Sequence, residues 1–266
     1  MMRVAIGIEY DGSRFQGWQF LGAHRNIRTI QGELQSALTS VAAHDIELIC
    51  AGRTDAGVHA WGQVAHFETT ATRDERAWIL GANSLLPEDV SVVWARRVDD
   101  EYHARYSATA RRYRYVIIND SARSGTLSGR VSWDYRPMDV SLMQAAADTI
   151  VGEHDFSAFR AAECQSKSAV RDLRQISVRR VGVYILIDVE ANAFLQHMVR
   201  NIVGVLSDIG AGKRPVSWAG DVLESRDRRQ GGVTAPAAGL YLLRVSYPTR
   251  FAIPAPRTAW WPESPA

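Results

Sequence analysis

Hydrophobic and polar positions divide the chain into short segments of two periods. Residues 4–9 form an apolar run of strand length, closed by the turn signal Tyr10-Asp11-Gly12-Ser13. Ile30, Leu34, Ala37, Leu38 and Val41 recur at the spacing of one helix face, and Thr29 is placed to cap that helix. Apolar runs at 46–50 and 64–67 predict two more strands. Thr72-Arg73-Asp74-Glu75 reads as a capping box that opens a second helix, which must stop before Pro87. Residues 90–95 give another strand. The resulting order, β-α-β-β-α-β, is that of a split βαβ unit.

The second half repeats the theme. Residues 113–118 predict a strand. Asp139 caps a helix that turns Leu142, Met143, Ala146 and Ile150 inward and closes at Gly152. Residues 175–180 and 183–190 form a hairpin about Gly182, a last helix spans 194–209 with Gly210 as its C-cap, and 241–245 is a closing strand. The expected fold class is α+β, with two ferredoxin-like, RRM-like halves whose antiparallel sheets join around a central catalytic cleft. The expected division is 1–104, 105–248 and a Pro-rich tail, 249–266, that is partly disordered. A polar loop at 22–28 carries His24, Arg25 and Arg28.

Composition narrows the class. The 266 residues are 46% hydrophobic, ample for one large core or two smaller ones. No apolar run reaches the length of a membrane span, and the first residues lack the pattern of a secretion signal. Cys50 and Cys164 are the only cysteines, so neither a disulfide framework nor a zinc site is expected, and the compartment reads as cytoplasmic. Net charge is only +2, but the positive charge is nearly all arginine and is clustered at Arg111, Arg112 and Arg114, at Arg171 and Arg174, and at Arg179 and Arg180. Arginine pairs with phosphate through two nitrogens and stacks on bases, so these clusters suit an anionic partner.

Candidate chemistry follows from what is present and what is missing. Gly210-Ala211-Gly212-Lys213-Arg214 lacks both the first glycine and the hydroxyl of a phosphate loop. The histidines show no metal-ligand spacing, and no nucleophilic-serine or dinucleotide motif occurs. What stands out is Ala51-Gly52-Arg53-Thr54-Asp55-Ala56-Gly57-Val58-His59-Ala60, a carboxylate in a glycine-flanked turn between two strands. Arg111-Arg112-Tyr113-Arg114-Tyr115 interleaves stacking rings with phosphate-binding forks, the tyrosines on one strand face and the arginines on the other. On the last helix, His197, Arg200, Asn201, Gly204 and Asp208 form a polar stripe. Gly204 there admits close approach of another backbone.

The loop 52–60 closely resembles the signature of the TruA family of tRNA pseudouridine synthases. Tyr10-Asp11-Gly12 with Phe15, Gly17, Trp18 and Gln19 resembles that family's opening. Ala110-Arg111-Arg112-Tyr113-Arg114-Tyr115 resembles its tyrosine motif, residues 192–204 its C-terminal helix motif, and Ala238-Gly239-Leu240-Tyr241-Leu242 its closing strand. The resemblance implies isomerisation of uridine to pseudouridine at positions 38, 39 and 40 of the anticodon stem-loop of tRNA, by a homodimer, without cofactor, metal or energy input. It implies Asp55 as the catalytic carboxylate, Tyr113 as the ring stacked on the uracil, Arg200 as the basic partner of the carboxylate and Arg53 as the arginine that moves as the uridine enters. Leu240 would pack beneath the base, and His59, Arg111, Arg112 and Asn201 complete the substrate-binding set. Whether Asp55 attacks the sugar, attacks the base or removes a sugar proton stays open. Two other readings stand beside this one. A non-catalytic RRM-like RNA-binding module is partly matched by 111–118, and a structural ferredoxin-like protein explains the core but not the clusters.

Overall fold

The computed structural model describes residues 1–20 and 27–257. Most of the predicted polar loop, His24 and Arg25 included, and the end of the tail beyond 257 lie outside the described residues. Backbone contacts divide the chain into two units. Among the described residues, the first comprises Met1–Thr109 together with 241–257, and the second is Ala110–Leu240. The closing strand thus belongs to the first unit and not, as the division at 105–248 has it, to the second.

In the first unit, β1 (Met2–Tyr10) lies between β4 (Val90–Val98) and β3 (His59–Thr69), antiparallel to both. The short β2 (Ile49–Cys50) pairs antiparallel with one part of β3, and β10 (Leu240–Ser246) pairs parallel with another, Tyr241 opposite His59. Helix α1 (Ile30–Ala42) begins where expected: the Thr29 hydroxyl accepts the Gly32 N–H, and Ile30, Leu34, Ala37 and Leu38 are buried. Helix α2 (Glu75–Asn83) is capped by Asp74, whose carboxylate accepts the Ala77 N–H, and not by Thr72. The helix starts one residue after Asp74, so Thr72 lies two residues too early to reach the first turn.

In the second unit, β5 (Ala110–Asn119), β9 (Tyr184–Ala191), β8 (Val170–Val181) and β7 (Gly152–Asp155) follow one another antiparallel, and β6 (Ser132–Asp134) runs parallel to β5. Periodicity misses β6 and β7 because each is three or four residues long. Gly182 turns the hairpin at φ +58° as predicted. Helix α3 (Val140–Asp148) is capped by Asp139 and buries Met143, Ala146 and Ala147, whereas Leu142 faces outward.

Helix α4 (Met198–Gly210) starts later than expected, after His197 in the left-handed region at φ +62°. It runs through Gly210, and the break comes at Ala211 and Gly212. The helix is buried nearly all round, so its polar stripe is not solvated. A Cβ at Gly204 would stand 1.9 Å from the Val233 carbonyl oxygen, because the segment 231–235 lies directly on this face. Helix α5 (Trp218–Ser225) follows and packs on α4.

Replacing Gly204 by alanine sets two effects against each other. Helix propensity favours alanine by about 1 kcal/mol. Forcing a methyl into packed backbone costs about 1–3 kcal/mol or more, and a backbone oxygen at this distance has no free rotamer to yield. Gly204→Ala is therefore expected to lower the urea midpoint. Gly220→Ala in α5, where the nearest atom is 3.7 Å away, is expected to hold or raise it. Equal midpoints for the two variants in urea titrations would contradict this packing.

Candidate active site

The loop 51–58 owes its shape to a second segment, residues 12–18. The Trp18 N–H donates to the Thr54 carbonyl at 2.9 Å, and the Thr54 hydroxyl, itself buried, bonds the Tyr10 hydroxyl at 2.8 Å. On the other side of Asp55, the Gly57 N–H donates to the Phe15 carbonyl at 3.3 Å, and the Val58 N–H closes a turn onto the Asp55 carbonyl at 3.2 Å. Gln63 Nε2 donates to the Gly52 carbonyl at 2.7 Å. Asp55 is thus gripped through the backbone on both flanks while its side chain stays half-exposed. The two segments meet only because Gly17 adopts φ +90° and carries no Cβ; one there would stand 2.7 Å from the Thr54 oxygen. A carboxylate fixed by its scaffold meets the positional demand on a nucleophile or base.

Two neighbours differ in exposure. Arg53 is exposed and donates to Gln19 Oε1 at 2.6 Å. His59 is buried: its Nδ1 accepts the Gly12 N–H at 3.0 Å, and its ring stacks on Tyr241 at 4.5 Å, with Trp61 on the same tyrosine at 4.9 Å. This placement sets His59 at the loop's exit, fixed against Gly12 and Tyr241.

In the second unit Tyr113 is mostly buried on β5, with the edge of Phe194 against its ring at 5.1 Å. Tyr115, two residues on, is fully buried and donates its hydroxyl to the Pro236 carbonyl at 2.7 Å; burial pushes its pKa above the ordinary tyrosine value. It belongs to the scaffold. The arginines do not all share the opposite face. Arg111 takes the tyrosines' side by strand alternation, is closed in, and donates to the Asn192 carbonyl at 2.8 Å. Arg112 and Arg114 take the other side, where Asp188 receives both. Arg114 bonds it with two nitrogens at 2.6 and 2.8 Å, and Arg112 reaches it at 3.2 Å with a side chain 42% exposed. Arg112 is the more exposed of the two. Arg171 and Arg174 are tied to local partners, Ser166 and Asp172.

On α4, the half-buried Arg200 donates Nε to the Ala235 carbonyl at 2.8 Å, and its own carbonyl accepts the Ala235 N–H at 3.1 Å. Asn201 is buried. Its amide donates to the Phe159 carbonyl at 2.7 Å and accepts from Thr234 at 2.7 Å and Arg228 at 3.1 Å. Such a satisfied amide positions the 228–235 segment. Leu240 is buried at the start of β10.

The structure thus gathers Arg53, Asp55 and His59 in the first unit. Tyr113, Arg111, Arg112, Arg200, Asn201 and Leu240 lie in the second. Sequence reasoning missed Asp188, although an acid on β9 opposite Arg114 is a readable signal. It also gave no physical role to Gly17. Among the described residues, no group of three or more histidines, cysteines or acids is placed to hold a metal ion, and no helix is long and apolar enough to cross a membrane.

Comparison with known proteins places the sequence in a family. The tRNA pseudouridine synthase family model matches residues 6–107 and 146–248. A protein named tRNA pseudouridine synthase A from Coxiella burnetii (strain RSA 331 / Henzerling II) is 54% identical over 254 residues, 96% of each chain. One of the same name from Pseudomonas aeruginosa (strain PAO1) is 53% identical over 252 residues, 95% of this chain and 88% of that one. With two matched stretches that together hold the Asp55 loop and α4, and with relatives of this identity along nearly its whole length, this chain belongs to the tRNA pseudouridine synthase family.

Proposed function

We propose that this chain isomerises uridine to pseudouridine in the anticodon stem-loop of tRNA, at positions 38, 39 and 40, with Asp55 as the reacting carboxylate. The observation that carries the proposal is the backbone grip on Asp55 from residues 12–18, in a chain of this family. In the reaction the bond from the sugar to N1 of uracil breaks, the base turns, and a bond from the sugar to C5 forms. C5 loses a proton and N1 gains one, so atoms and charge balance without an outside reagent. A carboxylate serves as nucleophile or base in such a sequence. The target base must leave its stack first.

The other roles rest on the family resemblance. Tyr113 stacks on the flipped uracil and its hydroxyl moves a proton. Arg200 keeps the carboxylate ionised, since a nearby positive charge favours the charged form. Arg53 moves as the nucleotide enters, Leu240 packs beneath the base, and Arg112 holds phosphate. The exposure of Arg53 and the partial exposure of the Arg112 side chain support their roles. The fold reading is of two ferredoxin-like halves, supported in the first unit by its β-α-β-β-α-β order. The working form is a homodimer.

Asp55→Asn keeps the shape of the side chain and removes its charge. It is expected to bind an unmodified tRNA transcript as wild type does and to form no pseudouridine by mass spectrometry; substantial product would remove Asp55 from the chemistry. Tyr113→Phe keeps the ring and loses the hydroxyl. Its expected phenotype is normal affinity with turnover slowed by about a hundredfold, the usual scale of one proton-transferring group. Wild-type turnover would leave Tyr113 a stacking role alone. The third expectation is that EDTA leaves turnover intact on a pre-folded stem-loop. Loss of activity restored by one divalent ion would show that a metal takes part.

A further inference from the structure

The segment 102–107 takes no part in the reaction described, yet it presents an exposed aromatic ring on a rigid frame. Tyr106 is 76% exposed. Its ring stacks on His103 with centroids 4.3 Å apart and planes 29° from parallel, and the Arg105 guanidinium lies 5.6 Å from its centroid. A tyrosine so exposed usually swings freely. Here the backbone N–H groups of Arg105 and Tyr106 both donate to His103 Nδ1 at 3.1 Å. The His103 N–H donates to the Ser107 hydroxyl at 3.0 Å, and the Ser107 N–H returns to the His103 carbonyl at 2.9 Å.

This frame continues into the core. The Ala104 N–H donates to Nδ1 of buried His66 at 3.1 Å, and the Tyr247 hydroxyl donates to the Ala104 carbonyl at 2.7 Å. His66 meets His103 edge-on at 4.7 Å, and burial, aided by His103 and Arg3, pushes the His66 pKa down to about 4. His66 is therefore neutral near pH 7 with its proton on Nε2, since Nδ1 is the acceptor. Tyr102, one residue before His103, is fully buried against Tyr247 and Phe251.

A rigid, outward ring beside a guanidinium suits one class of ligand well. An unpaired nucleobase offers a π-face to the ring, and its phosphate offers an anion to the arginine. A protein partner would instead favour a surrounding apolar patch, and the side chains beside Tyr106 are Arg105 and His103. The location also fits RNA. Ile49 of β2, two residues before the loop begins at Ala51, pairs with His66, whose Nδ1 accepts the Ala104 N–H of the Tyr106 segment.

We propose that Tyr106, backed by His103 and flanked by Arg105, is a stacking platform for an unpaired base of the RNA substrate, a base other than the one that Asp55 acts on. The proposal rests on the RNA-modifying reading above. Its test is binding of an unmodified tRNA transcript, followed across a salt series, by wild type, Tyr106→Leu, Tyr106→Trp and Arg105→Gln. Tyr106→Leu keeps bulk and loses the π-face. It is expected to weaken Kd by about tenfold with an unchanged salt slope, the loss falling on KM rather than kcat. Tyr106→Trp is expected to recover the affinity. Arg105→Gln should lower the salt slope by roughly one unit or slightly less. Thermal melts read folding separately. Wild-type affinity in Tyr106→Leu, or equal losses in the Leu and Trp variants, overturns the platform. A wild-type protein that forms no pseudouridine but loses RNA affinity in Tyr106→Leu overturns the modification reading and leaves the platform standing.

Discussion

The approach of residues 12–18 to the loop 51–58 is the constraint on which the candidate chemistry depends. Asp55 has no helix or strand of its own. Its position is inherited from two backbone hydrogen bonds, Trp18 N–H to the Thr54 carbonyl and Gly57 N–H to the Phe15 carbonyl. These form only if the two segments touch, and Gly17 is where they touch. Any side chain there meets the loop and must also adopt a backbone angle that costs about 1–2 kcal/mol outside glycine. Trp18 and Phe15, both buried, anchor the supporting segment in the core. The arrangement leaves the residue partly exposed while its backbone is fixed, the combination a reacting group needs.

The second unit solves a different problem, that of carrying many arginines on a buried sheet. A buried guanidinium without a partner is costly, and Asp188 supplies that partner to Arg114 through two short bonds. Arg111 is satisfied by a carbonyl. The cluster that looks uniform as Arg-Arg-Tyr-Arg-Tyr is thus divided by burial into scaffold and surface, with Arg112 on the solvent side. Likewise Tyr115 anchors the 236–239 turn, where Gly239 lets its ring approach closely, while the Tyr113 ring meets Phe194 at right angles.

Much of this was legible in the sequence where a local rule decides the outcome. Thr29 and Asp139 cap their helices because a short oxygen side chain stands one residue before an apolar face. Gly182 turns its hairpin, and Gly204 admits a neighbouring backbone. What escaped the reading is set by tertiary context. The strand β2 shrinks to two residues because pairing with β3, not apolar content, ends it. Residues 231–235 cover α4's polar stripe, and no pattern within the helix announces that. Asn201 reads as one more polar residue of the helix stripe until its three partners are seen. Of the site, the Asp55 loop was plain from its glycines, whereas its dependence on Gly17 required the fold, and the roles drawn from family resemblance lie beyond periodicity altogether.

The central claim is that Asp55 acts because the 12–18 segment holds it in place. Single-turnover release of tritium from tRNA labelled at C5 of uridine reports the one carbon that must lose its hydrogen. Wild type is predicted to release the label. Gly17→Ala, with Asp55 intact and tRNA affinity retained, is predicted to release it about a hundredfold more slowly. No release by wild type, or release by Gly17→Ala at the wild-type rate, would contradict the account.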